Sequence, residues 1–244
     1  MVGLSALRQF LTRVALVSPP APAPQLPTAE SDPAWHRTYP TLRAEHFLPD
    51  AGVYFDRSDM LLRLAPQKGL VIGEVGVGLG KFSRFLLNHM SPRTFVAFDL
   101  FDLHTMPDLW GRPSQDIFLG LPHRTYYERI LAYHRHRMVI EQGESHIRLA
   151  TYPAKCFDIL YIDADHRYES VRRDATAGAP LVKPDGLLVF NDYMMCDHMG
   201  HAPFGVIPAV HELIATSDWK VAGFSLQPQM YCDIALRRKQ AVLF

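Results

Sequence analysis

Val71-Ile72-Gly73-Glu74-Val75-Gly76-Val77-Gly78-Leu79-Gly80 decides the reading of this chain. An apolar run closes on an acid and then on three alternating glycines. The pattern is that of a buried strand that stops abruptly at a turn, from which a helix emerges. Glycine adopts positive φ angles without a steric penalty and lets a ligand approach the backbone where a Cβ would stand. A nicotinamide-type fingerprint needs its third glycine one position later, where this chain has Lys81. The competing reading is a glycine-rich turn with no ligand, and the sequence downstream bears on that choice.

Beyond residue 69 strand-like and helix-like patterns alternate. Strands are predicted over 69–75, 94–99, 138–142, 157–163 and 187–191, and helices over 80–90, 124–136, 167–181 and 205–216. The segment 157–163 is apolar on both faces, as a central parallel strand should be. The stretches 219–226 and 230–237 flank Gln227-Pro228-Gln229 and read as a hairpin, which turns the last strand against the others. Repeated strand–helix units predict an α/β, doubly wound, mostly parallel sheet.

The chain has 244 residues, 48% hydrophobic and 20% charged, with 25 basic and 25 acidic side chains. That is ample for one large α/β domain, and zero formal net charge argues against a nucleic-acid partner. No run is long and apolar enough to span a bilayer. Cys156, Cys196 and Cys232 are few and far apart, which suits a reducing, cytoplasmic setting better than a disulfide framework. Residues 1–17 carry Leu4, Leu7, Leu11 and Val14 at helical spacing between Arg8 and Arg13. The expectation is an amphipathic helix docking on its own domain or on another subunit of a homo-oligomer, with organelle targeting as the alternative. Residues 18–50 are a Pro-rich linker and lead-in, and 51–244 form the main domain.

Glu74-x-Gly76-x-Gly78-x-Gly80 resembles motif I of class I S-adenosyl-L-methionine (SAM) dependent methyltransferases. The resemblance implies a Rossmann-like, seven-stranded sheet with an antiparallel C-terminal strand. In open α/β sheets ligands bind beyond the carboxyl ends of the strands, where strand order reverses. Glu74, Gly76, Gly78 and Gly80 would then cradle the cofactor, with backbone amides facing its carboxylate. Asp99, nineteen residues past Gly80, stands at the distance of an acid that accepts from ribose hydroxyls, and Asp102 is its rival. Ser145 falls where the family places adenine contacts, and Asp163 closes the cofactor side.

The strand tips Ile162-Asp163-Ala164-Asp165-His166 and Phe190-Asn191-Asp192-Tyr193 would gather Asp163, Asp165, Asn191 and Asp192 at one edge of that crevice. Crowded carboxylates repel one another, and oxygen donors of this kind suit Mg2+, Mn2+ or Ca2+ rather than zinc. Tyr-Ile-Asp-Ala-Asp-His-x-Tyr-Glu-x-Val, followed by Pro-Asp-Gly-Leu-Leu-Val-Phe-Asn-Asp-Tyr, resembles the macrolide-sugar and aminocoumarin O-methyltransferases. The resemblance covers roughly residues 69–238.

It implies a divalent metal on Asp163, Asn191 and Asp192, a small-molecule hydroxyl as acceptor, and His166 or Asp165 as the catalytic base. Imidazole is favoured because it accepts a proton near neutral pH with little tuning. Asn191 departs from the two acids that several metal-dependent members carry, which should weaken a metal. The alternatives are a metal-independent methyltransferase, an aminopropyl transferase, and a catalytically silent SAM-fold binding or assembly protein. Two further readings stay open: residues 194–201 as a lid or a surface loop, and Trp110 as a pocket wall or a buried anchor.

Overall fold

A computed structural model describes residues 39–65, 69–200 and 202–239. The expected helix over 1–17 and most of the Pro-rich linker lie outside the described residues.

The strands are β1 (Phe47–Tyr54), β2 (Val71–Val75), β3 (Thr94–Asp99), β4 (Met138–Gln142), β5 (Phe157–Ile162), β6 (Val182–Phe190), β7 (Trp219–Ser225) and β8 (Asp233–Arg238). They form one sheet in the spatial order β1-β7-β8-β6-β5-β2-β3-β4. β8 runs antiparallel to both of its neighbours, and every other pairing is parallel. The chain builds outward from β2 through β3 to β4, then returns to β5 on the other side of β2. The crevice of an open sheet lies at such a reversal, here between the tips of β2 and β5.

The sheet has eight strands rather than seven, because β1 adds to the outer edge beside β7. Pro49, Asp50 and Gly52 hide this strand in the sequence. Proline is tolerated on an edge, where one row of amides pairs with nothing, and the β1 register shifts between Phe47 and Gly52. Helix α1 (Arg57–Leu64) follows, its first turn capped by the Asp56 carboxylate, which accepts from the Asp59 amide at 2.9 Å. It too escaped the sequence reading, which places no helix between residues 18 and 79.

The four helices expected over 80–90, 124–136, 167–181 and 205–216 are present. α2 (Lys81–Phe85) runs on into a π-helical turn over Leu86–Met90, and α3 (His123–Ile130) into a 3-10 turn over Ala132–Arg137. α4 (Ser145–Leu149) and a short helix over Ser114–Ile117 were not expected, and α5 (Tyr168–Gly178) and α6 (Val206–Ala215) follow further along the chain. Alternation along the central strands sends Ile72, Phe95, Ile159 and Tyr161 to one face, against Met60, Leu86 and Tyr127. Val75, Phe98, Ile162 and Phe190 go to the other face, against Val171 and Val210. Both faces are therefore buried, and the strand tips are left as the place for polar chemistry.

Candidate active site

The glycine turn at the tip of β2 is braced from three sides. Gly76 has φ 82°, and a Cβ there would stand 2.1 Å from the Asp163 carbonyl oxygen. The two strand tips thus touch backbone to backbone, and the Asp163 amide donates to the Val75 carbonyl at 2.7 Å. Gly78 has φ 48° and nothing within 4 Å of its Cβ position, so it faces open space. His123, fully buried, was not singled out by sequence reasoning. Its Nε2 lies 2.6 Å from the Gly78 carbonyl oxygen, an acceptor, so that nitrogen carries the proton. A histidine between Pro122 and Arg124 gives no local signal of such a role.

Asp99 ends β3 as expected. Its Oδ2 accepts from the Val77 amide at 2.8 Å and its Oδ1 from the Phe101 amide at 2.6 Å. The carboxylate therefore clamps the glycine turn as well as lining the cavity beside it. Each oxygen keeps a second lone pair for a ligand hydroxyl. Glu74 is buried, and its Oε2 accepts from the Ser83 hydroxyl at 2.5 Å. Burial pushes this carboxyl up to about 8, against the pull of Ser83.

These groups line a cavity of about 980 Å³ that runs from Gly78 and Asp99 past Ser145 to His166. Such a volume is at the upper end for small-molecule sites. Ser145 sits in the first turn of α4 and donates to Asp174 Oδ1 at 2.5 Å. Burial pushes Asp174 up to about 6. Trp110 is not a buried anchor: it is 73% exposed and lines the cavity.

At the tips of β5 and β6 the two candidate bases separate. Asp165 is committed elsewhere. It accepts from the Arg167 amide at 2.9 Å, from the Arg167 guanidinium at 2.5 Å and from the Ser170 hydroxyl at 2.8 Å. Burial works to raise its pKa, but these donors outweigh it and hold the carboxyl below its ordinary range. It anchors the start of α5, although it too lines the cavity.

His166 lies between two other carboxylates, with Nε2 3.2 Å from Asp192 Oδ2 and 3.7 Å from Asp163 Oδ1. Neither is aligned for a hydrogen bond to that nitrogen. Phe204, from the segment after β6, stacks on the ring at 4.5 Å between centroids. Burial pushes the imidazole pKa down, but Asp163 and Asp192 more than offset it, leaving the net shift upward. Asp192 has φ 52°, a left-handed conformation that few residues other than glycine adopt. Burial carries its pKa up to about 6, opposed by His166.

Arg57, the first residue of α1, completes the cluster, and sequence reasoning missed it. Its Nη1 lies 3.0 Å from the Tyr161 hydroxyl and 3.6 Å from Asp163 Oδ2. Its guanidinium carbon stands 4.0 Å above the Phe82 ring. No local pattern marks a single arginine in a lead-in segment.

The expected metal ligands do not fit a divalent ion as they stand. Asp163 faces Arg57 with one oxygen and His166 with the other. Asn191 turns its amide nitrogen toward Asp192 Oδ1 at 3.0 Å and Asp233 Oδ1 at 3.4 Å. Presenting its carbonyl oxygen to a metal would turn that oxygen onto two carboxylates. Among the described residues no group of three or more His, Cys, Asp or Glu side chains is arranged to hold a metal.

Residues 74–193, just under half of the chain, match the model of a methyltransferase domain family. Comparison with curated proteins gives no match. Among solved structures, the ribosomal protein L11 methylase of Lactobacillus delbrueckii subsp. bulgaricus is 16% identical, with TM-score 0.52, over 75% of this chain and 77% of its own. The O-methyltransferase TomG of Streptomyces achromogenes, involved in tomaymycin synthesis and solved with SAM, is 17% identical, with TM-score 0.51, over 73% and 75%. An rRNA methylase of Streptococcus thermophilus is 12% identical, with TM-score 0.51, over 75% and 94%.

The family match spans the glycine turn and both acidic strand tips, and the sheet has the matching topology. Residues 74–193 thus match a methyltransferase domain, and the fold is that of class I SAM-dependent methyltransferases. By their names, the three neighbours serve a ribosomal protein, tomaymycin synthesis and an rRNA, so the fold does not by itself exclude a nucleic-acid acceptor. Among the described residues no helix is long and apolar enough to cross a membrane.

Proposed function

We propose that the chain methylates a hydroxyl of a small molecule, such as a sugar or phenol of a natural product, with His166 as general base. One observation carries the reading: His166 and Asp165 share a cavity with the glycine turn, but the Asp165 carboxylate is already occupied by Arg167 and Ser170. Zero net charge gives no general electrostatic footprint for an RNA acceptor.

The residues fit SAM in kind. The open space at Gly78 leaves the backbone accessible, and Asp99 and Ser145 line the same cavity. When bound, SAM supplies an electrophilic methyl group and leaves as S-adenosylhomocysteine. His166 takes the hydroxyl proton at Nε2, so that the acceptor oxygen attacks with an available electron pair. Asp163 and Asp192 favour the imidazolium that forms, and the proton then passes to solvent. Asp163 also fixes the spacing of the two strand tips through its backbone.

The test is calorimetric titration with S-adenosylhomocysteine, followed by mass spectrometry of phenol and sugar-nucleotide acceptors incubated with SAM. Binding, and an acceptor gaining one methyl group on oxygen, support the reading. Absence of S-adenosylhomocysteine binding would favour a scaffold instead, and transfer of an aminopropyl group would place the chain in a different reaction class.

A further inference from the structure

The carboxylates at the tips of β5 and β6 already have counter-charges from the chain itself. Arg57 is held from three directions: by the Tyr161 hydroxyl at 3.0 Å, by Asp163 at 3.6 Å and by the face of Phe82 at 4.0 Å. A guanidinium over an aromatic ring gains cation–π attraction and stays charged at any physiological pH. Tyr161 is fixed in turn, donating to the fully buried Asp233 at 2.6 Å. Asp233 also accepts from Gln227 at 2.8 Å and from Asn191 at 3.4 Å. Arg57 therefore stands on a buried polar network that sets both its own position and the orientation of Asn191.

We infer that Arg57 is the resident cation of this site: it compensates Asp163 where the sequence resemblance would put a divalent ion, so that methyl transfer here needs no metal. The inference rests on the proposed transferase reading of the cavity. Two unit charges of like sign this close repel strongly in a partly buried setting, so an ion seated on Asp163 would have to displace the guanidinium. Displacement would strip Tyr161 and Phe82 of their partner and leave a half-buried cation unpaired. Arg57 is a positioning residue: it holds Asp163, and Asp163 faces the base.

Mn2+ is a suitable probe because its binding is read by electron paramagnetic resonance without turnover. The full-length wild type, with S-adenosylhomocysteine present, is expected to take up no stoichiometric Mn2+ at millimolar concentration. Arg57→Gln should gain at least about tenfold in Mn2+ affinity, since one positive charge no longer opposes the ion, and Asp163→Asn in that background should abolish the gain. Arg57→Lys, which keeps the charge, should exclude Mn2+ as the wild type does.

One equivalent of Mn2+ on the wild type, lost in Asp163→Asn, would overturn the inference whether or not Arg57→Gln folds. So would uptake by Arg57→Lys, or no gain in a folded Arg57→Gln. S-adenosylhomocysteine binding is scored separately: its absence in the wild type would remove the transferase reading, while the Mn2+ result would still say which charge occupies the strand tips.

Discussion

Replacing Glu74 by glutamine should flatten the pH dependence of stability. Glu74 lies near the end of the strand that feeds the glycine turn, is 1% exposed, and has a carboxyl raised from 4.5 to about 8, chiefly by burial. The folded state therefore keeps a proton that the unfolded chain releases near pH 4.5. Between those two values the native state binds more protons than the unfolded state, so stability falls as pH rises and levels off above about pH 8. At about 1.4 kcal/mol per pH unit, the penalty that develops between about pH 5 and about pH 8 is about 3 kcal/mol. The amide of the Glu74→Gln variant carries no such charge and can still accept the Ser83 hydrogen bond through its oxygen.

Urea unfolding of both proteins at about pH 5, 6.5 and 8 measures this directly. Asp174, Asp192 and Asp233, all raised by burial, tilt the wild-type curve the same way, but they are common to both proteins. The difference between the two curves isolates Glu74. The variant should gain on the wild type by about 3 kcal/mol over that range. Parallel curves would mean that Glu74 is ionised in the native state, and the burial argument would fail.

Other outcomes follow from the same geometry. His166→Gln should lower kcat by about 10²- to 10⁴-fold while leaving S-adenosylhomocysteine affinity unchanged by calorimetry; a smaller loss would remove His166 as the base. Asp192→Asn removes one of the charges that raise the His166 pKa, so the acidic limb of the kcat profile should move to lower pH. The Gly76 and Gly78 pair separates steric from conformational demand. Gly76→Ala places a Cβ against a backbone oxygen and should abolish folding or cost more than about 3 kcal/mol. Gly78→Ala meets open space and should cost about 1–2 kcal/mol, the left-handed penalty alone, by thermal or chemical melting.

The sequence made some elements readable because one physical signal dominates in each. Strands 94–99 and 138–142 are apolar runs bounded by polar turns, and their limits agree with β3 and β4 to the residue. The π-helical turn over Leu86–Met90 kept its helical apolar stripe and changed no expectation. β1 escaped because an edge strand tolerates Pro49 and need not alternate, so the period-two signal is absent. α1 escaped with it, and Arg57 was lost as a consequence. At the site, the residue types at the strand tips were legible, but their partners were not. Asp165 and His166 are neighbours in sequence, and only tertiary contacts show that one is consumed by Arg167 and Ser170. The same holds for Asn191, whose orientation depends on Asp233, far away in the chain.

A metal-binding motif and a metal-binding site thus differ by what else the fold brings to the same point. Asp163, Asn191 and Asp192 match the resemblance in position, with Asn191 where several members carry an acid, yet a divalent ion needs oxygen lone pairs converging on a common centre. In this fold an arginine from the first turn of α1 reaches one of those oxygens, and a histidine stands between the two carboxylates. The same acids then act on the imidazole they flank. Electrostatic compensation from within the chain needs no ion to be recruited, and it ties the integrity of the site to the docking of α1. A lesion in that docking, such as Asp56→Ala at the helix cap, should cost about 1 kcal/mol of stability. It should also loosen Arg57 and make Mn2+ uptake detectable; a destabilised variant that still excluded Mn2+ would break the link between helix docking and the charge at the strand tips.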